Sequence, residues 1–125
     1  MEPKSVTMHI GGLAEKTGLS LRTIRHYDEV GLLEPTGRTV GGFRLYTQDD
    51  LARLMLIRRM KPLGFTLEEM TELLRIIETL GGTESDDPEV RTGLLHFIAQ
   101  ADERRARLHE QLAMADEFLA LLHEQ

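Results

Sequence analysis

The chain has 125 residues, of which 41% are apolar and 29% charged, a composition typical of one small folded domain or a module with an extension. It contains no cysteine, which excludes disulfides, thiolate metal sites, iron–sulfur clusters and cysteine nucleophiles from this sequence. Its longest apolar run is far shorter than a membrane span, and its first ten residues lack an apolar signal core. We therefore expect a cytoplasmic protein without a membrane partner.

The net charge of −6 hides two halves of opposite sign. Residues 1–64 contain ten Lys or Arg and seven Asp or Glu, a net charge of +3. Residues 65–125 contain five Lys or Arg and fourteen Asp or Glu, a net charge of −9. A basic half joined to an acidic half indicates polyanion binding by the basic part, although solvated helix faces also segregate charge.

Two short helices are predicted near the N-terminus. Residues 10–17 place apolar side chains on one helical face, and Gly18 follows where a helix end needs a left-handed residue. Ser20 is a good N-cap for a second helix over residues 21–30, which Gly31 ends. Two helices of this length joined by three residues predict a helix-turn-helix.

A small β-hairpin and a longer helix are predicted next. Residues 36–46 place two adjacent glycines between two β-prone stretches, which predicts a hairpin, or wing. Thr47 is the predicted N-cap of a helix over residues 48–63, and Pro62 shortens or kinks its last turn.

The acidic half is predicted to form two more helices. Residues 66–69 read as a capping box that opens a helix to about Leu80, and a polar loop over residues 81–87 follows. Asp87 as N-cap and Pro88 at the first helical position then start the final helix.

The final helix carries an apolar seam whose members are spaced alternately four and three residues apart. The seam comprises Leu94, Ile98, Ala101, Leu108, Leu112, Ala115, Leu119 and Leu122. Arg105 interrupts the seam, and its role is open between fixing the register through a partner carboxylate and reaching out to water. A seam of about four heptads predicts a coiled coil between two copies of the chain, with folding back onto the N-terminal half as the alternative.

The sequence favours DNA binding over catalysis. It lacks a phosphate-binding glycine loop, a serine-nucleophile elbow and an HExxH motif, so we expect no enzyme activity, no catalytic or metal site and no cofactor. Leu21 and Ile24 would pack the second helix inward and leave hydrogen-bond donors outside, where they can reach base edges and phosphates. The candidate DNA contacts are Arg22, Thr23, Arg25, His26, Arg38, Arg44, Tyr46, Arg58 and Lys61.

Several separated motifs agree in order and spacing with one known family. They are TGLS at residues 17–20, TIRHY at 23–27, GLL at 31–33, GFRLY at 42–46 and LGFTLEE at 63–69. Over residues 8–74 the chain resembles a MerR-type transcriptional regulator, and its last helix has the character of that family's dimer helix.

The resemblance implies a mainly α-helical fold with a winged helix-turn-helix domain and linking helix over residues 1–80. An acidic loop and a long dimerisation helix, paired as an antiparallel coiled coil, would occupy residues 81–125. It also implies a homodimer that binds a pseudo-palindromic operator in double-stranded promoter DNA. Such regulators bend and undertwist the DNA and so realign the promoter hexamers, which makes RNA polymerase an indirect partner.

The resemblance also assigns roles by position. It implies base and phosphate contacts for Arg22 and Arg25. It implies backbone contacts for four further residues, Tyr27, Arg38, Arg44 and Lys61. His26 and Phe43 stand where the family commonly has an aromatic residue and a tyrosine. We assign Phe43 to packing, because it lacks a hydroxyl that could reach a phosphate, and leave His26 open between a hydrogen-bond donor and a half-buried, inert side chain.

The sequence does not identify an effector. Without cysteine it offers no thiolate site for copper, zinc or mercury, which leaves a small molecule at the dimer interface, a protein partner or no effector. His109 could meet its twin in an antiparallel dimer as a metal or pH site, although a solvated interface histidine is the simpler interpretation. Two other functions stay open: an architectural or recombination-accessory DNA-binding protein, and a helical adaptor between proteins.

Overall fold

The computed structural model describes residues 7–33, 37–38, 41–81 and 87–125. The chain divides into two compact units, Met1–Leu74 and Arg75–Gln125. The division falls inside a helix, a few residues before the boundary at residues 80 and 81 that the sequence suggests. The acidic loop predicted over residues 81–87 lies mostly outside the described residues.

The first unit begins with the predicted helix-turn-helix. Helix α1 spans Ile10–Thr17 and helix α2 spans Leu21–Glu29. Between them Gly18 adopts a left-handed conformation with φ of 73°, which a residue with a side chain would resist. Helix α2 ends one residue earlier than expected, because Val30 already belongs to the turn that leads to Gly31.

The predicted wing is a two-stranded antiparallel hairpin. Strand β1 is Gly37–Arg38 and strand β2 is Arg44–Leu45, with Arg38 opposite Arg44. Gly42 supplies the positive φ, 85°, on the return side of the turn. Residues 39 and 40, which the sequence places in the same hairpin, lie outside the described part of the chain.

The third helix is shorter than the sequence indicates. Helix α3 spans Gln48–Met60, and a 3-10 turn over Lys61–Leu63 replaces its predicted last turn. Pro62 explains the change, because it lacks a backbone N–H and its ring clashes with the carbonyl four residues earlier. At the other end Thr47 and Asp50 form a capping box, in which the Thr47 amide donates to Asp50 Oδ2 at 2.8 Å.

The core of the first unit forms where α1 contacts α2 and α3. Seven side chains are essentially inaccessible to water: Leu13, Ile24, Leu32, Leu33, Tyr46, Leu54 and Ile57. Each fully buried aliphatic side chain of this size contributes about 1.5–3 kcal/mol relative to exposure. This core sets the angle at which α2 is presented.

The long helices extend into the second unit. Helix α4 spans Leu67–Leu80, and its Thr66–Glu69 capping box is present, with the Glu69 amide donating to Thr66 Oγ1 at 3.1 Å. Helix α5 spans Pro88–His123, with Asp87 as N-cap. A Cβ on Gly93 would lie 3.0 Å from Ile76 Cδ1, so glycine lets α5 approach α4 closely. No helix within the described ranges has the length and apolarity required to cross a membrane.

Candidate nucleic-acid interface

One face of α2 gathers exposed polar side chains, two of which are arginines. Arg22, Arg25, His26 and Glu29 are exposed and line one shallow depression. Their spacing of three, one and three residues puts them on the same side of a helix. His26 is exposed, with its ring 6.0 Å from that of Tyr27, so the half-buried alternative for His26 does not hold.

Local hydrogen bonds fix the start of this helix. The Thr23 amide donates to Ser20 Oγ at 3.1 Å, and the Ser20 hydroxyl donates to Thr23 Oγ1 at 2.9 Å. In the turn before it, the Leu19 amide donates to Thr17 Oγ1 at 3.2 Å. Thr23 is therefore half-buried and engaged in the N-cap, while the arginines on either side of it stay accessible.

Tyr27 lies beneath the surface, which contradicts its expected role as a direct contact with the DNA backbone. Its side chain is only 3% exposed. Lys61 Nζ lies 6.0 Å from the centroid of its ring, at the outer limit of a cation–π contact. Tyr27 thus supports Lys61, which is exposed and stands beside α2 as a candidate phosphate contact.

The expectation that Tyr46 contacts DNA is also wrong. The side chain is 0% exposed, and its hydroxyl donates a hydrogen bond to Asp28 Oδ2 at 2.7 Å. Arg44 Nε lies 3.5 Å from the same carboxylate oxygen. Tyr46 therefore links the wing to α2 from inside the unit. Asp28 was not predicted from the sequence, where it resembles an ordinary surface acid near a helix end.

The environment of Tyr46 keeps its phenol neutral. Burial raises the pKa of the Tyr46 hydroxyl well above its ordinary value, and the hydrogen bond to Asp28 raises it further. An ionised phenol would be both desolvated and repelled by the carboxylate. The hydroxyl consequently remains a donor to Asp28 throughout the neutral range.

Phe43, which we assigned to packing, lies on the surface and not in the core. Its side chain is 68% exposed at the tip of the wing, and its ring meets the His9 ring edge-on at a centroid distance of 6.4 Å. The sequence position of Phe43, directly after the two turn glycines, could have indicated this exposure, because a residue at a hairpin tip has little structure to pack against.

The remaining basic candidates are unequally placed. Arg58 is exposed on α3. Arg44 is half-buried, with 32% of its side chain exposed. Arg38 is opposite Arg44 in the hairpin register, but its side chain lies outside the described part. Arg53, which the sequence analysis did not single out, donates from Nε to the Leu32 carbonyl at 2.8 Å and stabilises the segment that follows α2.

Most of the predicted seam of α5 lies on the surface of the single chain. Leu112 at its middle is 60% exposed, and Ile98, Leu108, Leu119 and Leu122 are also exposed. Leu94 and Ala101 are half-buried. An additional set of exposed apolar residues lies beside the seam near the end of the helix: Met114, Phe118 and Leu121. An exposed apolar stripe of this length is typical of an interaction surface.

The comparisons with known families agree over both units. A family described as MerR HTH family regulatory protein matches residues 8–76, and one described as MerR, DNA binding matches residues 51–122. The heavy metal-dependent transcription regulator 2 of Rhizobium meliloti is 33% identical over 103 residues, which make up 82% of this chain and 68% of that protein.

Another relative is an uncharacterized HTH-type transcriptional regulator of Pseudomonas aeruginosa, 45% identical over 69 residues. The match covers 55% of this chain and 52% of that protein, so the chain spans about half the length of this relative. It spans the same share of the mercuric resistance operon regulatory protein of Bacillus cereus, to which it is also 45% identical.

Two crystal structures resemble most of the chain. HiNmlR, a MerR family regulator lacking the sensor domain and bound to promoter DNA, gives a TM-score of 0.71 at 29% identity, covering 89% of this chain and 80% of that one. A MerR family regulator from Bacillus cereus gives a TM-score of 0.67 at 29% identity, covering 95% of this chain and 79% of that one.

Replacement of Tyr46 by phenylalanine is predicted to have a pH-dependent effect. Because the acceptor is a buried carboxylate, the loss of the hydroxyl should cost about 1.5–3 kcal/mol of unfolding free energy at pH 7. The folded state raises the pKa of Tyr46, so its contribution is complete below the unfolded-state pKa of about 10 and is lost as pH rises beyond it.

Urea denaturation of wild type and Tyr46→Phe from pH 7 to pH 11 measures this difference. The difference in unfolding free energy between the two proteins should stay constant up to about pH 9 and become smaller above about pH 10. A difference that is absent at pH 7, or that grows above pH 10, would contradict the donor role of Tyr46.

Proposed function

Because the chain belongs to the MerR family of helix-turn-helix regulatory proteins, we propose that it binds double-stranded promoter DNA as a homodimer and regulates transcription. Promoter DNA also sets the location we propose, the bacterial cytoplasm. The observation that carries the proposal is the exposed α2 face with Arg22, Arg25 and His26 on one side of the helix.

The chemistry of this face suits a major groove. Arginine donates two parallel hydrogen bonds to guanine O6 and N7, and either arginine can also bind a phosphate. Glu29 at the far end of the same face is an acceptor that fits cytosine N4. Lys61 lies close to Tyr27 of α2, and the partly exposed Arg44 lies on the wing near Asp28 of the same helix. Both add positive charge near α2, which suits contacts with phosphates.

The dimer part of the proposal rests on α5. The exposed seam around Leu112 has heptad spacing and matches the geometry of a coiled coil. We propose that two copies pair along it in antiparallel orientation, so that two α2 helices face two half-sites of a pseudo-palindromic operator. The acidic character of residues 65–125 would keep this part of the dimer away from the phosphates.

We further propose that the dimer acts by deforming DNA, with RNA polymerase as an indirect partner. The family resemblance implies a binding site within an overlong spacer between the two promoter hexamers. In transcription with purified polymerase, shortening this spacer should therefore raise basal activity and remove the dependence on this protein. An architectural DNA-binding protein would bind the promoter equally well, but it would not change transcription from either the original promoter or the one with the shortened spacer.

The effector of this regulator is not assigned. No residue of this sequence offers a thiolate, because cysteine is absent. Among the described residues, no three His, Asp or Glu side chains cluster as a metal site. The proposals of a small molecule at the dimer interface, a protein partner or no effector stand side by side, as does the hypothesis of a paired His109.

Arg25→Ala should abolish preference for the operator. The probe is a duplex selected from a random library with the wild-type protein, compared with a scrambled duplex of the same length. Each bidentate contact contributes about 1–3 kcal/mol and the dimer loses it twice, so affinity should fall at least about 30-fold. Arg107→Ala, an exposed arginine on α5, is the matched control and should bind like wild type. Equal loss in both variants would contradict the proposal.

Leu112→Asp should break the dimer, because it places a charge in the middle of the seam. Sedimentation analysis should then show a monomer, and operator affinity should fall. Ala113→Asp introduces the same charge about 100° away around the helix and should remain dimeric. A Leu112→Asp protein that stays dimeric would exclude this seam as the interface.

A further inference from the structure

The wing is joined to α2 by one buried carboxylate. Asp28 on α2 accepts the Tyr46 hydroxyl at 2.7 Å and lies 3.5 Å from Arg44 Nε. We name this cluster of Asp28, Arg44 and Tyr46 the wing latch. Its two wing members are two residues apart, so the alternation of an extended strand directs both to the same side.

The latch is built around a charge that requires partners. The Asp28 side chain is only 8% exposed, and a buried carboxylate without hydrogen bonds or a counter-charge is strongly disfavoured. Tyr46 supplies the hydrogen bond and Arg44 the counter-charge. Removal of either partner therefore leaves the Asp28 carboxylate without its hydrogen bond or its counter-charge. The cluster consequently prefers the one geometry in which both partners contact Asp28.

The hairpin itself is too small to hold its orientation. Each strand has two residues, and an isolated hairpin of this size is unstable in water. A backbone bridge also anchors Tyr46, in which the Met8 and Tyr46 amides each donate to the other's carbonyl at 2.8 Å. The bridge fixes one end of strand β2, and the Asp28 contact ties that strand to α2.

We propose that Asp28 is a positioning residue for DNA binding, which holds the wing at the angle to α2 that lets both elements contact one duplex together. Asp28 does not touch the DNA. Arg44 acts on both sides of the latch: its buried Nε faces Asp28, and the third of its side chain that remains exposed is available to a phosphate. This proposal rests on the DNA-binding function proposed above.

Whether DNA affinity rises or falls in Asp28→Asn distinguishes a positioning role from a simple effect of charge. Replacing an acid near a polyanion by a neutral residue removes repulsion, so on charge alone Asp28→Asn should bind DNA as well as wild type or better. The latch predicts the opposite, because the amide is a weaker partner for Arg44 and releases the wing. Glu15→Gln, which removes an exposed acid from α1 of the same unit, serves as the charge-matched control.

The experiment measures operator affinity against salt concentration for the full-length wild type, Asp28→Asn, Tyr46→Phe and Glu15→Gln. A released wing no longer neutralises phosphates, and the slope of log affinity against log salt falls by about 0.9 for each phosphate that the protein ceases to bind. We expect both latch variants to bind about tenfold or more weakly at moderate salt, and their slopes to fall by about two per dimer. Glu15→Gln should keep the wild-type slope and at least the wild-type affinity.

A purely structural role of Asp28 gives a different result. Loss of folded protein lowers the active fraction but leaves the salt slope of the remaining dimers unchanged. Wild-type slopes in both latch variants, after correction for the folded fraction, would overturn the proposal while leaving the DNA-binding function intact. A wild-type protein without operator preference or salt dependence would overturn the proposed function, and this inference with it. If Asp28→Asn does not fold, Tyr46→Phe, which retains the carboxylate, decides the question.

Discussion

The contact between the wing and α2 is made through one buried carboxylate. Asp28 lies at the end of α2 that faces the wing, and its carboxylate is shared between Tyr46 and Arg44. Apolar contacts among residues such as Leu13, Ile24 and Leu54 set how α2 packs on its neighbours, but packing alone is tolerant of small rotations. A hydrogen bond to a buried carboxylate is directional, so it fixes where a two-residue strand ends up relative to the helix.

In this arrangement, residues of the same type in the sequence have different structural roles. Of the aromatic residues near the basic surface, Tyr27 and Tyr46 are buried supports, whereas Phe43 is exposed at the wing tip. Similarly, Arg53 binds a backbone carbonyl within the unit, whereas Arg22 and Arg25 remain on the surface. The net charge of −6 describes neither the residues that stabilise the unit from within nor those that remain on its surface. Function in this chain depends on where each charge is held.

Local signals predicted most of the fold. Gly18, the N-caps at Ser20 and Thr47 and the capping box at Thr66 each act within four residues, and the structure confirms the elements they mark. The early ends of α2 and α3 have local causes at Val30 and Pro62. The wrong expectation for Tyr46, in contrast, concerns contacts with distant residues. Whether Tyr46 points outward or inward is decided by Asp28, eighteen residues away, and by the bridge to Met8. No local sequence pattern shows whether Tyr46 points inward. However, Tyr46 and Arg44 are two residues apart on one strand, so the two side chains share a face that an acidic residue could contact.

Hydroxyl-radical footprinting of operator DNA, with wild-type protein and with Asp28→Asn at concentrations that saturate binding, tests most directly whether Asp28 positions the wing. The wild type should protect two backbone segments in each half-site, one from α2 and one from the wing. In Asp28→Asn the segment contacted by α2 should remain protected and the segment contacted by the wing should become accessible. Unchanged protection of both segments at saturation would show that the latch does not position the wing.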